Sequence, residues 1–272
     1  MFEIIENGTV TSPKGYLAGA TNVGIKTDTD ELDVGILWTN NKDAYCTGVF
    51  TQNSIVSHSV TASKQNINGK LVKGVVANSG CANCCVGSQG YIDAKEMTSL
   101  AARHLNLEDE ELLVCSTGVI GVELPMALIR QNIGNLNVGK SGGHDFARAI
   151  MTTDSHQKEI AVSIELDGKT VTIGGAAKGV GMIHPSMATM LCFITTDANI
   201  EHTLLDKFLK QSVDLTFNMI DVDGDQSTND TVMVLANGMV GGDVITEGTV
   251  VAKEFCDALR FVCESLAKEL IK

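Results

Sequence analysis

Seven short runs rich in apolar and β-branched residues punctuate this 272-residue chain, at 34–38, 72–77, 112–120, 160–166, 171–173, 190–195 and 231–235, each closed off by Gly, Asn or Asp. Runs of that length and composition read as strands, and their lack of strict polar alternation suits sheets covered on both faces. Helical spacing takes over between them. Met97, Leu100, Ala101 and Leu105 fall on one helical face, as do Leu204, Leu205, Phe208, Leu209 and Val213, and again Phe255, Leu259, Val262, Leu266 and Leu270. Further helical pieces are expected at 125–133 and from near Asp145. The Gly-rich turn 139–143 between them reads as a flexible connector, and the chain stops at Lys272 at the edge of its last helix. Gly is abundant (27), Pro scarce (3) and aromatics only 4%, so the core has to be built from small aliphatic side chains with close backbone approaches. That composition suits layered α/β packing. The length allows two domains or one large unit, and no repeat or composition shift marks a boundary.

Lys and Arg number 20 against 33 Asp and Glu, a formal charge of −13. That balance repels phosphate backbones and anionic lipid, which argues against nucleic acid and membrane partners and favours a small cationic molecule. No apolar run reaches membrane-spanning length. The first residues, MFEIIENG, lack the basic and apolar regions of a signal peptide, so the eight cysteines read as reduced thiols of a cytoplasmic protein. Cys81-x-x-Cys84, followed by Cys85, invites a zinc reading. A four-ligand site needs a second pair, and a buried cluster of thiols is the better reading. Asp221-Val-Asp223-Gly-Asp225 mimics a calcium loop, but its Gly falls fourth and position twelve is Val232, so it reads as an acidic turn. The acidic stretch 108–111 reads as solvated surface. The six histidines form no Ser-His-Asp pattern, and His184 reads as a structural or pocket-lining group.

The chemistry-bearing stretch is Lys178-Gly-Val-Gly-Met-Ile-His-Pro-Ser-Met-Ala188-Thr189-Met-Leu, with Gly175, Gly179 and Gly181 around the lysine. A phosphate loop fails on order, because the lysine precedes the glycines and a strand follows. Ala188-Thr189 at the head of a buried strand has two readings. It is an ordinary strand entrance, or it is a site where the Thr hydroxyl attacks the preceding carbonyl and leaves a new N-terminal Thr holding nucleophile and base together. Ser116-Thr117-Gly118 likewise reads either as a Gly turn after a strand or as a hydroxyl and an amide facing a developing oxyanion.

KGVGMIHPSMATML (178–191), CSTGVIG (115–121), MTTD (151–154), TSPKG (11–15), GVFTQN (48–53) and FNMIDVDGDQSTND (217–230), six matches that occur in the family's order and in register along the chain, closely resemble the ornithine acetyltransferase family of arginine biosynthesis. The resemblance implies that Thr189 is the nucleophile, exposed by self-cleavage of the Ala188-Thr189 bond into an α chain (1–188) and a β chain (189–272). It implies Thr117 and Gly118 as the oxyanion pair, and Thr152, Lys178 and Thr189 as substrate contacts. It further implies an α/β fold, a layered sandwich of central β-sheets flanked by helices similar in layering to the N-terminal-nucleophile hydrolases, an α2β2 assembly, and no metal or tightly bound cofactor. The reaction implied is acetyl transfer from N2-acetyl-L-ornithine to L-glutamate through an acetyl-threonine, with acetyl-CoA admitted as a further donor. Family members run on well past the position of Lys272, into a stretch whose Glu contacts substrate, so part of the β chain is expected to be missing here. Two rival readings stand beside this one: an amidohydrolase or aminopeptidase with an N-terminal Thr, and an inactive fragment.

Overall fold

The computed structural model describes residues 2–28, 30–67, 71–182 and 190–272. In chain order its elements are β1 (Phe2–Ile4), β2 (Tyr16–Thr21), β3 (Val34–Thr39), β4 (Tyr45–Phe50), α1 (His58–Ile67), β5 (Gly74–Cys81), α2 (Gln89–Leu105), β6 (Leu112–Val119), α3 (Met126–Asn132), α4 (Gly143–Ala149), β7 (Lys158–Leu166), β8 (Lys169–Lys178), β9 (Leu191–Thr196), α5 (His202–Asp214), β10 (Thr231–Ala236) and α6 (Val250–Leu270). The strands form a six-stranded sheet, β1-β7-β8-β9-β10-β4, and a four-stranded sheet, β2-β3-β5-β6. Both are mixed: β9 and β10 run parallel, as do β5 and β6, and the other pairs are antiparallel.

Alternation along each strand sorts side chains between layers. In β9, Cys192 and Ile194 pack outward on a cluster with Leu205, Leu209, Phe255 and Leu259 of α5 and α6. Leu191 and Phe193 point the other way, into a cluster shared with Val75, Leu113 and Cys115 of the second sheet. Val76, Leu112 and Val114 face outward again, onto Met97 and Ala101 of α2 and Ile129 of α3. The order is helices, sheet, sheet, helices, the sandwich expected from the sequence. Because both faces of each sheet are buried, β9 and β10 contain no exposed residue.

Close packing corrects two expectations. The Gly-rich turn 139–143 is no flexible connector: Ala18 and Gly139 exchange backbone hydrogen bonds of 3.0 and 2.8 Å, and a Cβ on Gly142 would lie 1.9 Å from the Ala18 carbonyl oxygen. The strand expected at 171–173 is the middle of the ten-residue β8, which runs through Gly174 and Gly175 to Lys178. Glycine there marks lateral crowding and not a turn, since a Cβ on Gly174 would sit 2.2 Å from the Thr9 carbonyl oxygen. The expected strands at 72–77 and 190–195 are displaced by a few residues or fewer, and β1, β2, β4 and α1 were not anticipated. α6 is capped by the Thr249 hydroxyl, which accepts from Ala252 N–H at 3.1 Å, and it ends at Leu270 as the apolar stripe implied. Among the described residues no helix is long and apolar enough to cross a membrane.

Phe146 of α4 fills the gap between the sheets, edge-on to Phe193 at 5.2 Å between ring centroids. Phe146→Ala is expected to cost about 3–5 kcal/mol, read as a lowered midpoint in urea unfolding.

Candidate active site

The inter-sheet alternation carries two polar residues inward at the same end of the sandwich. Thr117 continues the inward series Leu113 and Cys115 on β6, and Lys178 closes β8 two residues beyond inward-facing Ala176. They meet across the interior: Lys178 Nζ donates to Thr117 Oγ1 at 3.0 Å and to Thr152 Oγ1 at 2.9 Å. Three residues distant in sequence are thus joined by one ammonium. Lys178 is 3% exposed, and burial lowers its pKa to about 8, against the pull of Asp154, which favours the charged form. Since Thr117 Oγ accepts from a cation, its own hydrogen is left to donate, and the cation polarises it for that task.

Gly118 follows at a dislocation in the sheet. The β5–β6 register shifts at Gly80 and Cys81, and Gly118 adopts φ +130°, with no room for a side chain: a Cβ would lie 2.3 Å from Gly80 C. Asn229 pins this region from the six-stranded side, donating from Nδ2 to the carbonyls of Ala82 and Ser116, both at 2.7 Å. Thr117, Gly118, Thr152 and Lys178 line one cavity of about 560 Å3, together with Lys26 and Asp223. That is a size suited to a small metabolite. Ala188, Thr189 and His184 lie outside the described residues.

Several residues of the site escaped the sequence reading. Asp154, the last letter of MTTD, is the principal one. Its Oδ1 accepts from Lys158 Nζ at 2.6 Å and from Gly179 N–H at 2.8 Å, and its Oδ2 from Thr152 N–H at 3.1 Å. One carboxylate therefore fixes both Thr152 and the turn after Lys178. Burial pushes its pKa up, but Lys158, the two amides and Lys178 outweigh that and hold it below its ordinary value. No spacing signals it, because Asp154 lies outside any helix and its partner Lys158 opens β7. Lys26 reaches the cavity on a loop gathered by Asp33, whose carboxylate accepts the backbone N–H groups of Val23, Gly24, Ile25 and Lys26. The acidic turn at 221–225 lies exposed, as expected, yet Asp223 Oδ2 reaches in to accept from Met182 N–H at 2.5 Å. In the 108–111 stretch, Glu111 pairs with Lys73 at 2.5 Å. Cys81 and Cys84 are buried but Cys85 is exposed, so the thiol cluster is only partly interior. Its Cys84 and Cys85 sulfurs stand 3.8 Å apart, and Cys81 Sγ donates to the Val122 carbonyl.

Two predictions follow from this geometry. The side chains of Asp154 and Lys158 are each 1% exposed, so Asp154→Ala strands a buried ammonium and is expected to cost about 3–5 kcal/mol in urea unfolding. Because the folded carboxyl binds its proton less tightly than the unfolded one, its contribution is present above the ordinary carboxylate pKa and is lost as pH falls through the lowered value. Asp154→Asn should flatten that acid limb. Gly118→Ala is expected to lower Tm, because the added methyl collides with the Gly80 backbone at a φ that L-residues rarely adopt.

The model of the ArgJ family matches residues 17–272. The arginine biosynthesis bifunctional protein ArgJ of Dehalococcoides mccartyi is 43% identical over 271 residues, which is 99% of this chain and 67% of that protein. The crystal structure of an ornithine acetyltransferase from Mycobacterium tuberculosis, complexed with ornithine, is 30% identical at a TM-score of 0.64, covering 70% of this chain and all of the solved one. An L-aminopeptidase D-Ala-esterase/amidase from Ochrobactrum anthropi, described as a variant of the Ntn hydrolase fold, is 11% identical at a TM-score of 0.51 over 99% of this chain, a likeness of fold alone. The chain spans about two thirds of the length of the curated relatives it matches. These matches show that the chain belongs to the ArgJ family.

Proposed function

We propose that this chain carries the nucleophilic half-site of an acetyltransferase that moves an acetyl group from N2-acetyl-L-ornithine to L-glutamate, after dividing itself between Ala188 and Thr189. The observation that carries the reading is the Lys178 ammonium bridging the Thr117 and Thr152 hydroxyls at the wall of a cavity of metabolite size. The ornithine-bound relative supports the substrate class. Its length supports the division: seven tenths of 272 residues is about 190, close to the span of residues 1–188.

Thr189 Oγ attacks the acetyl carbonyl, and the tetrahedral oxyanion accepts from the Thr117 hydroxyl and the Gly118 N–H. The Thr189 amine takes the hydroxyl proton as Oγ attacks and passes it to the departing nitrogen as the carbon–nitrogen bond to ornithine breaks, and the acetyl stays on Oγ as an ester. The amine of glutamate attacks that ester, N-acetylglutamate leaves, and the hydroxyl is restored. Lys178 acts through Thr117, so its contribution belongs to the protonated ammonium. The α2β2 assembly and the use of acetyl-CoA as a second donor are carried over from the family resemblance.

Intact mass is expected to show two pieces, 1–188 and 189–272, with Thr189→Ala leaving the chain whole. A wild-type chain that stays whole would falsify the nucleophile assignment. Given acetylornithine alone, the processed chain should gain one acetyl group on the Thr189 fragment, discharged by glutamate as acetylglutamate; release as free acetate without glutamate identifies a hydrolase instead. The acetylation rate should fall as pH rises through about 8, where Lys178 loses its proton, and Lys178→Met should be slow at every pH.

A further inference from the structure

Asp230 is a buried acid that does not line the cavity, yet its side chain grips the chain one residue after position 189. It has no exposed surface, and it stands immediately ahead of β10. Its backbone is anchored: Thr51 N–H donates to the Asp230 carbonyl at 2.8 Å, and Thr231 N–H donates to the Met190 carbonyl at 3.1 Å. Its side-chain Oδ1 accepts from Met190 N–H at 3.0 Å. The second oxygen, Oδ2, is buried with no hydrogen-bond partner among the described residues. Orphaned buried polar atoms are few in folded proteins and call for an explanation.

Two elements face this carboxyl, the lead into β9 through the Met190 N–H and β8 through the charge of Lys178, and the Ser227 side chain lies beside it. Burial outweighs the Met190 N–H, Ser227 and Lys178 and pushes the carboxyl up to about 9, so at neutral pH it holds its proton. With Oδ1 already accepting, the proton resides on Oδ2. Met190 is bonded to residue 189, so this carboxyl holds the first described amide after the Ala188–Thr189 bond.

We propose that Asp230 is the proton donor for division of the chain, delivering its carboxyl proton to the Thr189 nitrogen as that nitrogen leaves Ala188. The inference rests on the reading of Thr189 as nucleophile. The need is chemical: a peptide nitrogen expelled without a proton would depart as a strongly basic anion. The steps balance. The Thr189 Oγ–C bond to Ala188 forms, the C–N bond between Ala188 and Thr189 breaks, the Asp230 proton goes to nitrogen, and the Thr189 hydroxyl proton replaces it on the carboxylate. Water then hydrolyses the ester, giving the Ala188 carboxylate and the free Thr189 hydroxyl. The same carboxyl is left beside the newly exposed amine.

The test is a time course of division after cell-free synthesis of the full 272-residue chain, read by intact mass. Asp230→Asn keeps an oxygen for Met190 N–H but has no transferable acid proton. It is expected to divide at least tenfold more slowly than wild type at pH 7, with Tm close to wild type. Hydroxylamine, which cleaves esters, should not accelerate it, because the block precedes the ester. Wild type dividing while Asp230→Asn keeps pace overturns the inference and leaves Thr189 standing; wild type remaining whole overturns both. Acceleration of Asp230→Asn by hydroxylamine also overturns it. Without any variant, the wild-type rate has to fall by pH 10, where the carboxyl is ionised, and a rate still rising there overturns the assignment.

Discussion

One buried ammonium organises this end of the molecule. Lys178 leaves the six-stranded sheet and donates to Thr117 of the four-stranded sheet and to Thr152 of the segment after α4. An amine in so dry a setting is costly to keep charged, and the protein compensates with two hydroxyl acceptors and the nearby Asp154 carboxylate. Asp154 is in turn held by Lys158, so the chain of contacts is ammonium, carboxylate, ammonium, with Thr152 and Gly179 fastened to its middle member. Displacing any member would misplace the others, which is how a site of this kind becomes preorganised.

Burial acts on the acids and bases of this region with opposite sign. It lowers Lys178 to about 8 and raises Asp230 to about 9, so near neutrality the lysine is a cation and the aspartic acid is neutral. Buried groups shifted in this way are associated with reactive sites more often than with structural ones.

The backbone contributes as much as the side chains. The β5–β6 register shift and the glycines at 80 and 118 allow two strands to crowd together where a side chain would keep them apart. Asn229 then ties that dislocation to the loop entering β10, so the two sheets are joined by side-chain hydrogen bonds where their apolar contacts end. Deeper in the interface Phe146 and Phe193 provide the contact, and the small residues around them explain why a chain with so few aromatics still fills its core.

Much of the architecture was legible in the chain itself. Runs such as Leu191–Thr196 lack polar alternation because both faces are covered, so composition alone announced a buried strand and a layered fold. Thr117, Gly118, Thr152 and Lys178 stood out through motifs that resemble a known family. The glycines at 174 and 175 misled, since a local reading treats Gly as a break whereas here it answers crowding from Thr9. Asp154, Asp230 and Lys26 were silent because their significance lies in partners that no periodicity encodes. Sequence by itself determined which faces are apolar and which residues can do chemistry, since those properties belong to single side chains and their near neighbours. Only the tertiary structure decided that Lys178 meets Thr117 sixty-one positions away and that Asp230 grips Met190, because strand register and inter-sheet packing, and not local propensity, set which distant atoms come within hydrogen-bond reach.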